Sequence, residues 1–168
     1  WAVGGGTNGG ALGCGANYPN NVYNIMIAGP FNFQNATSAQ LHYKLWLQSE
    51  RGYDGMCTMA SVDGTNYRGT CWSGTSGGWS PEMFDLSDVY ELGDLRGRPE
   101  VWISFWFESD GSITMPEGAY VDDVVLRKCT TGNCPGQTVA PASTLLGESA
   151  SRTIGEPAPE KGEKPASE

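Results

Sequence analysis

Hydrophobic and polar residues alternate over short stretches through most of this 168-residue chain. A period of two is typical of a half-buried β-strand, because successive side chains point to opposite faces of a sheet. The clearest stretches are residues 40–48 and 101–108, whose apolar positions are Leu41, Tyr43, Leu45 and Leu47, and Val101, Ile103, Phe105 and Phe107. Shorter strands are predicted over residues 22–27, 55–62, 66–71, 81–86 and 120–127. No stretch sustains a 3.6-residue period, so the sequence predicts an all-β domain.

A turn signal, Asp63-Gly64, separates two of these strands and predicts a β-hairpin. If the loop has three residues, the strands pair so that Cys57 lies directly opposite Cys71, at a separation suited to a disulfide. A two-residue loop would place the two cysteines one residue out of register. The pattern favours the disulfide over two buried thiols.

The chain has five cysteines and a single histidine. No two cysteines form a CxxC pair, which is unlike the usual zinc sites. Cys129 and Cys134 enclose a short loop and are predicted to form a second disulfide, which leaves Cys14 unpaired within the chain. Two disulfides indicate an oxidising compartment, so we expect a secreted or cell-surface protein.

The net charge of −9 restricts the classes of molecule that the chain can bind. Nucleic-acid binding needs clustered basic side chains, and the ten Lys and Arg residues are thinly spread. No apolar run approaches the length of a membrane span. An acidic surface is compatible with binding of cations or of neutral sugars.

Composition predicts three segments: a Gly-rich segment over 1–17, a domain over 18–134, and an extended tail over 135–168 rich in Pro, Ser and Glu. We expect Leu145, Leu146 and Ile154 to be the apolar anchors of the tail. They are suitably placed for adding a strand to the edge of a neighbouring sheet.

Several motifs resemble one family of domains. They occur at residues 18–21 (YPNN), 29–31 (GPF), 39–46 (AQLHYKLW), 101–110 (VWISFWFESD) and 118–125 (GAYVDDVV). Over residues 18–127 the chain resembles bacterial jelly-roll modules related to the MAM-like domains that accompany immune-inhibitor-A-type secreted peptidases. The resemblance implies a two-sheet antiparallel β-sandwich, the jelly roll, in an accessory or adhesive role without a catalytic site.

Asp122 and Asp123 are adjacent in the last strand of this domain, so one of them is expected to face inward. A buried carboxylate requires hydrogen-bond donors or a cation. The resemblance strengthens the second option, because related jelly rolls hold a structural calcium near their terminal strands. Ca²⁺ coordinated by Asp122 and Asp123 and capping hydrogen bonds are both open interpretations. Glu50, Asp54 and Asp110 are further possible oxygen donors.

Three tryptophans, Trp46, Trp102 and Trp106, lie on the strand faces opposite the aliphatic residues. If those faces are exposed, the tryptophans form a contact surface that stacks on sugar rings or anchors a neighbouring subunit. The alternative is that a loop, the N-terminal segment or the tail covers them.

No catalytic residue is predicted. His42, the only histidine, lies in mid-strand on a polar face, and no nucleophile motif accompanies it. No pair of acids has a spacing that singles it out for glycoside hydrolysis. Asn35-Ala36-Thr37 fits the N-glycosylation pattern, which makes Asn35 a candidate modification site.

The sequence therefore predicts a non-catalytic extracellular structural or adhesive module. The favoured hypothesis is a self-assembling subunit of a homo-oligomer, cell-surface polymer or filament, in which the C-terminal tail contacts neighbouring copies. The alternative hypothesis is a carbohydrate-binding accessory module of a larger secreted enzyme, with a polysaccharide as its partner.

Overall fold

The computed structural model describes residues 2–3, 13, 15–132, 134 and 145–156. Within these ranges the regular structure consists of nine strands and no helix. The strands are β1 (Ala2–Val3), β2 (Tyr23–Phe31), β3 (Ser38–Gln48), β4 (Gly55–Ser61), β5 (Asn66–Ser73), β6 (Ser80–Asp85), β7 (Val101–Glu108), β8 (Gly118–Cys129) and β9 (Leu146–Thr153). The described part of the chain accordingly has no helix of a length and apolarity that would cross a membrane.

The strands form two antiparallel sheets that pack together as a β-sandwich, as predicted. One sheet has the order β1-β8-β3-β6 and the other the order β2-β7-β4-β5-β9. In chain order the first eight strands follow the jelly-roll arrangement. Only the β4–β5 hairpin joins two consecutive strands of one sheet, and every other connection among these eight strands crosses to the opposite sheet. β9 is an addition to that arrangement, at the edge of the five-stranded sheet.

The core between the sheets is built from the two alternating stretches of the sequence. Leu45 and Leu47 of β3 and Val101 and Phe107 of β7 are completely buried. Tyr43 is buried as well, and its hydroxyl lies 2.7 Å from the Thr58 hydroxyl, so its polar atom has a partner. The prediction that these faces form the core is confirmed.

The hairpin register is also confirmed. β4 and β5 pair so that Cys57 lies directly opposite Cys71, and the two residues form a disulfide with their Cα atoms 3.8 Å apart. Cys129 and Cys134 form the second disulfide. Cys14 lies outside the described residues.

Both predicted terminal segments contribute strands to the sandwich. Ala2 and Val3 pair with Tyr120 and Ala119 of β8, so the Gly-rich segment 1–17 contributes a short strand. β9 comes from the predicted tail, so the sandwich extends beyond residue 134. Composition indicated an extended tail because most residues of β9 are small or polar, which suits an edge strand with one side in solvent.

Candidate functional site

The tail does add a strand to a sheet edge, and the sheet belongs to its own chain. All eight residues of β9 pair with β5, from Thr153 opposite Asn66 to Leu146 opposite Ser73. Of the expected anchors, Leu145 is 8% exposed and packs in the main core. The side chain of Ile154 is 38% exposed, so it is not a buried anchor, but its backbone N–H donates a hydrogen bond to the Thr65 carbonyl. The side chain of Leu146 lies outside the described residues.

An ion pair holds β9 more firmly than the backbone ladder alone would. The Arg152 guanidinium donates to both carboxylate oxygens of Glu108, with Nη2 2.8 Å from Oε2. The side chains are 12% and 3% exposed, respectively. Since Glu108 belongs to β7, this pair spans β5 and β4, which lie between the two strands. A bidentate pair of this kind is among the stronger and more directional polar contacts in proteins.

Trp106 lies beside this pair in a second, smaller hydrophobic cluster on the outer face of the five-stranded sheet. The rings of Tyr23 and Tyr67 flank it at 5.6 and 5.4 Å, and its Nε1–H donates to the Ser104 hydroxyl at 2.6 Å. Trp106 is completely buried, so the expectation that it contributes to an exposed surface is wrong. Side chains from neighbouring strands cover it, and single-strand alternation cannot reveal such cover.

The same cluster includes the other tryptophan of β7. Trp102 is half-buried against this cluster. The two tryptophans of β7 therefore pack mainly against other side chains of the domain and do not form the predicted contact surface. Burial raises the pKa of Tyr23 to about 12, and the negative charge of Glu108 adds to the shift. Tyr23 therefore remains a neutral phenol that packs against the indole.

Trp46 lies on the outer face of the other sheet and is half-buried. Tyr120 of β8 is directly opposite it, and Trp79 packs edge-on against it with ring centroids 6.1 Å apart. Trp79 is 47% exposed. Trp79 precedes β6 and follows two glycines of positive φ. It was not predicted as a contact residue because it belongs to no alternating stretch.

Neither acidic residue of the predicted metal pair faces inward. Asp122 and Asp123 are both exposed, and Asp123 forms a 2.7 Å ion pair with Lys44. The ladder between β3 and β8 shifts register at this point, and Asp123 has a φ of 51°. A bulge of this kind interrupts the alternation of side chains, which is why the expectation of an inward carboxylate is wrong.

The acidic groups that do come together are Glu50, Asp54 and Asp110, with one oxygen from each within 4.8 Å of the others. Asp54 is completely buried and accepts hydrogen bonds from the Tyr18 hydroxyl at 2.6 Å and the Asp110 amide at 2.7 Å. Burial and the hydrogen bond to Asp54 raise the pKa of Tyr18. The Tyr18 hydroxyl therefore stays protonated and donates to the carboxylate. A set of carboxylate oxygens with flexible loop geometry is the type that Ca²⁺ takes.

His42 and Asn35 complete the predicted residues. His42 Nε2 lies 3.0 Å from Oε1 of Gln40, and burial together with the positive charge of Arg127 lowers the pKa of His42. The ring is therefore neutral at pH 7 and pairs with an amide, whereas a triad base is paired with a carboxylate and a nucleophile. Asn35 is exposed in a turn.

The features that bear on function are thus the β9 strand edge, the small cluster around Trp106, the exposed Trp79 beside Trp46 and the acidic cluster. No protein-family model matches the chain, and a comparison with curated proteins finds no match.

Proposed function

We propose that this chain is a non-catalytic extracellular structural or adhesive module that assembles with copies of itself by exchanging its C-terminal strand. One observation carries the proposal: β9 is the last of the described strands, and it completes a sheet edge formed by strands distant in sequence. In such an arrangement the strand of a neighbouring copy can take the same place. Exchange of an identical element is a common route to assembly because it requires no new contacts.

The contacts of β9 favour this exchange. Its ladder is with β5 and its ion pair is with Glu108 of β7, whereas β8, which precedes it in sequence, lies in the other sheet. A donated β9 would therefore keep the ladder, the ion pair and the buried side chains of Leu145 and Ala150. The closed and the exchanged states differ mainly in the path of the connection.

The length of that connection permits exchange. Eleven peptide units join Cys134 to Leu145, and a fully extended chain of that length spans roughly 35–40 Å. This is comparable with the width of a small sandwich domain. Donation in one direction from copy to copy gives an open filament, whereas reciprocal donation gives a closed dimer.

Support for an extracellular location comes from the two disulfides, which are stable in oxidising compartments. Support for a non-catalytic role comes from the neutral, amide-paired His42 and from the resemblance to accessory jelly-roll modules. In that role the β-sandwich is the rigid unit, and β9 links one copy of the chain to the next.

Cysteine cross-linking tests the exchange directly, because Thr70 of β5 lies opposite Ser149 of β9. One copy carries Thr70→Cys and another carries Ser149→Cys, both in a Cys14→Ser background and with different affinity tags. When the two are exported together from one bacterial host, we expect a covalent heterodimer on non-reducing gels. The matched control pairs Thr70→Cys with Ser112→Cys, in the loop after β7.

A single chain that carries both substitutions reports on the closed state. If the doubly substituted chain forms only the internal bond, if the mixed copies never cross-link, and if light scattering detects only monomers at high concentration, the proposal is wrong.

A further inference from the structure

The outer face of the four-stranded sheet carries a transverse row of three aromatic side chains. Tyr120 of β8 pairs with Trp46 of β3. On the other side of Trp46, Ser80 pairs with Leu45, so Trp79 lies one position further along the same ladder, beside Trp46. Each ring therefore comes from a neighbouring strand position, with about 4.8 Å between adjacent strands. We call Tyr120, Trp46 and Trp79 the aromatic row.

Polar side chains border the aromatic row on both sides. The next position along the sheet carries Lys44 opposite Asp122, and Lys44 and Asp123 form an ion pair with exposed fractions of 52% and 64%. On the other border lies Gln48, half-buried and paired with Gly118. The row is therefore a narrow apolar strip between groups that donate and accept hydrogen bonds.

This arrangement matches the surface chemistry of a sugar chain. A pyranose ring has a face of C–H groups and a rim of hydroxyls. The negative face of an aromatic ring attracts those C–H groups, and the bordering polar side chains can bind the hydroxyls. Trp79 is the most exposed ring of the row and would make the main contact with a sugar, and the half-buried Trp46 and Tyr120 would extend the contact along the row.

Two other kinds of occupant fit less well. A nucleic acid also stacks on aromatic rings, but its phosphates would meet a chain of net charge −9. A second copy of this chain would need a broad, charge-poor patch, since the cores of stable protein interfaces are depleted in charged residues. Here only Trp79 is strongly exposed, at 47%, and charged side chains lie one position away.

We propose that the aromatic row of Tyr120, Trp46 and Trp79 binds a neutral polysaccharide. Binding at this face leaves β9 free to act in assembly, because β9 belongs to the other sheet. A module with both properties would attach an assembled structure to a glycan surface.

Affinity electrophoresis tests the proposal on the complete chain. Native gels that contain hydroxyethyl cellulose, xyloglucan or galactomannan are compared with a gel without polysaccharide, and intrinsic Trp fluorescence is followed in a parallel titration. We expect at least one polysaccharide to retard the protein and to change its Trp emission. Trp79→Ala is expected to weaken binding roughly tenfold or more, as for an exposed aromatic anchor. Trp79→Phe should retain part of the affinity.

The matched control is Tyr90→Ala, which removes another exposed aromatic residue and is expected to leave retardation unchanged. The proposal is overturned if none of the three polysaccharides retards the protein or changes its fluorescence, or if Trp79→Ala binds as well as the unaltered chain. It is also overturned if Trp79→Ala abolishes self-association and has no effect on retardation, since the row would then be a contact between copies. Thr70–Ser149 cross-linking in the Trp79→Ala background reports on strand exchange separately.

Discussion

Arg152 and Glu108 are 44 residues apart in sequence and form a bidentate ion pair that joins the last strand to β7 across two intervening strands. The carboxylate is almost completely buried. It lies beside the Cys57–Cys71 disulfide, since Arg152 Nη2 is 3.9 Å from the sulfur of Cys71. The pair therefore adds a side-chain contact to the backbone ladder that holds β9 at the sheet edge.

Removing one partner of the pair should cost more than removing both. Arg152→Ala leaves the Glu108 carboxylate buried and without its cation, and we expect the free energy of unfolding to fall by about 3 kcal/mol. The double variant Arg152→Met/Glu108→Met replaces the charges by apolar groups and should lose less. Urea unfolding followed by Trp fluorescence measures both. Equal losses in the two variants would show that the charge pairing itself is unimportant.

The hairpin disulfide is expected to contribute more than the loop disulfide. Cys57 and Cys71 are 14 residues apart, so their bond lowers the chain entropy of the unfolded state and thereby raises the free energy of unfolding by about 3 kcal/mol. Cys129 and Cys134 are 5 residues apart, for which the same relation gives about 2 kcal/mol. Unfolding of the two double-alanine variants measures the difference, and a larger loss for the Cys129/Cys134 pair would contradict this ordering.

Asp63 should make the hairpin sensitive to acid. Its carboxylate accepts hydrogen bonds from the side chain of Asn66 at 2.8 Å and from the amides of Asn66 and Thr65 at 2.7 and 2.8 Å. The bonds to Asn66 contribute most to holding the pKa of Asp63 well below its usual range. The stabilisation is complete above the unfolded-state pKa of about 4 and is lost as the pH falls toward the lower folded-state value.

Asp63→Asn removes that titration. We expect its unfolding midpoint in urea to decline less between pH 5 and pH 2.5 than that of the unaltered chain (a range chosen from the ordinary carboxyl pKa of about 4). The exposed Asp88→Asn serves as the control and should keep the original slope. An unchanged slope in Asp63→Asn would exclude Asp63 as the source of the acid sensitivity.

We expect Ca²⁺ to bind the cluster of Glu50, Asp54 and Asp110, and not Asp122 and Asp123. We expect saturating Ca²⁺ to raise the melting temperature by roughly 5 °C or more, and EDTA to reverse the shift. Asp110→Asn should abolish the shift, because it removes one carboxylate of the cluster. Asp122→Asn/Asp123→Asn should preserve it. A chelator without effect on the unaltered chain would rule out the site.

The fold could be predicted because its determinants are local. The alternation around Leu45 and Phe105 identified the buried faces, and the Asp63-Gly64 turn gave the register that places Cys57 opposite Cys71. These features depend on neighbours in the chain or on one tight turn. They can therefore be deduced from sequence.

The functional surfaces depended on contacts between distant segments. Trp106 is buried by rings from β2 and β5, which no inspection of β7 alone reveals. The positive φ of Asp123 marks a bulge that turns both acidic residues outward. Trp79 joins the aromatic row from a glycine turn, outside any alternating stretch. For Trp106 and Trp79 the missing information was which segments are neighbours, and for Asp123 it was where the ladder shifts register.

β9 follows the other eight described strands in sequence, which has a consequence for the order of events during synthesis. The other eight described strands have been synthesised while the edge of β5 is still unpaired. For that interval, the outcome is a competition between a tethered strand at high effective concentration and the strands of molecules that arrived earlier. Under the proposed exchange, a high local concentration of newly made chains would favour linkage between copies, and dilution would favour closed single units.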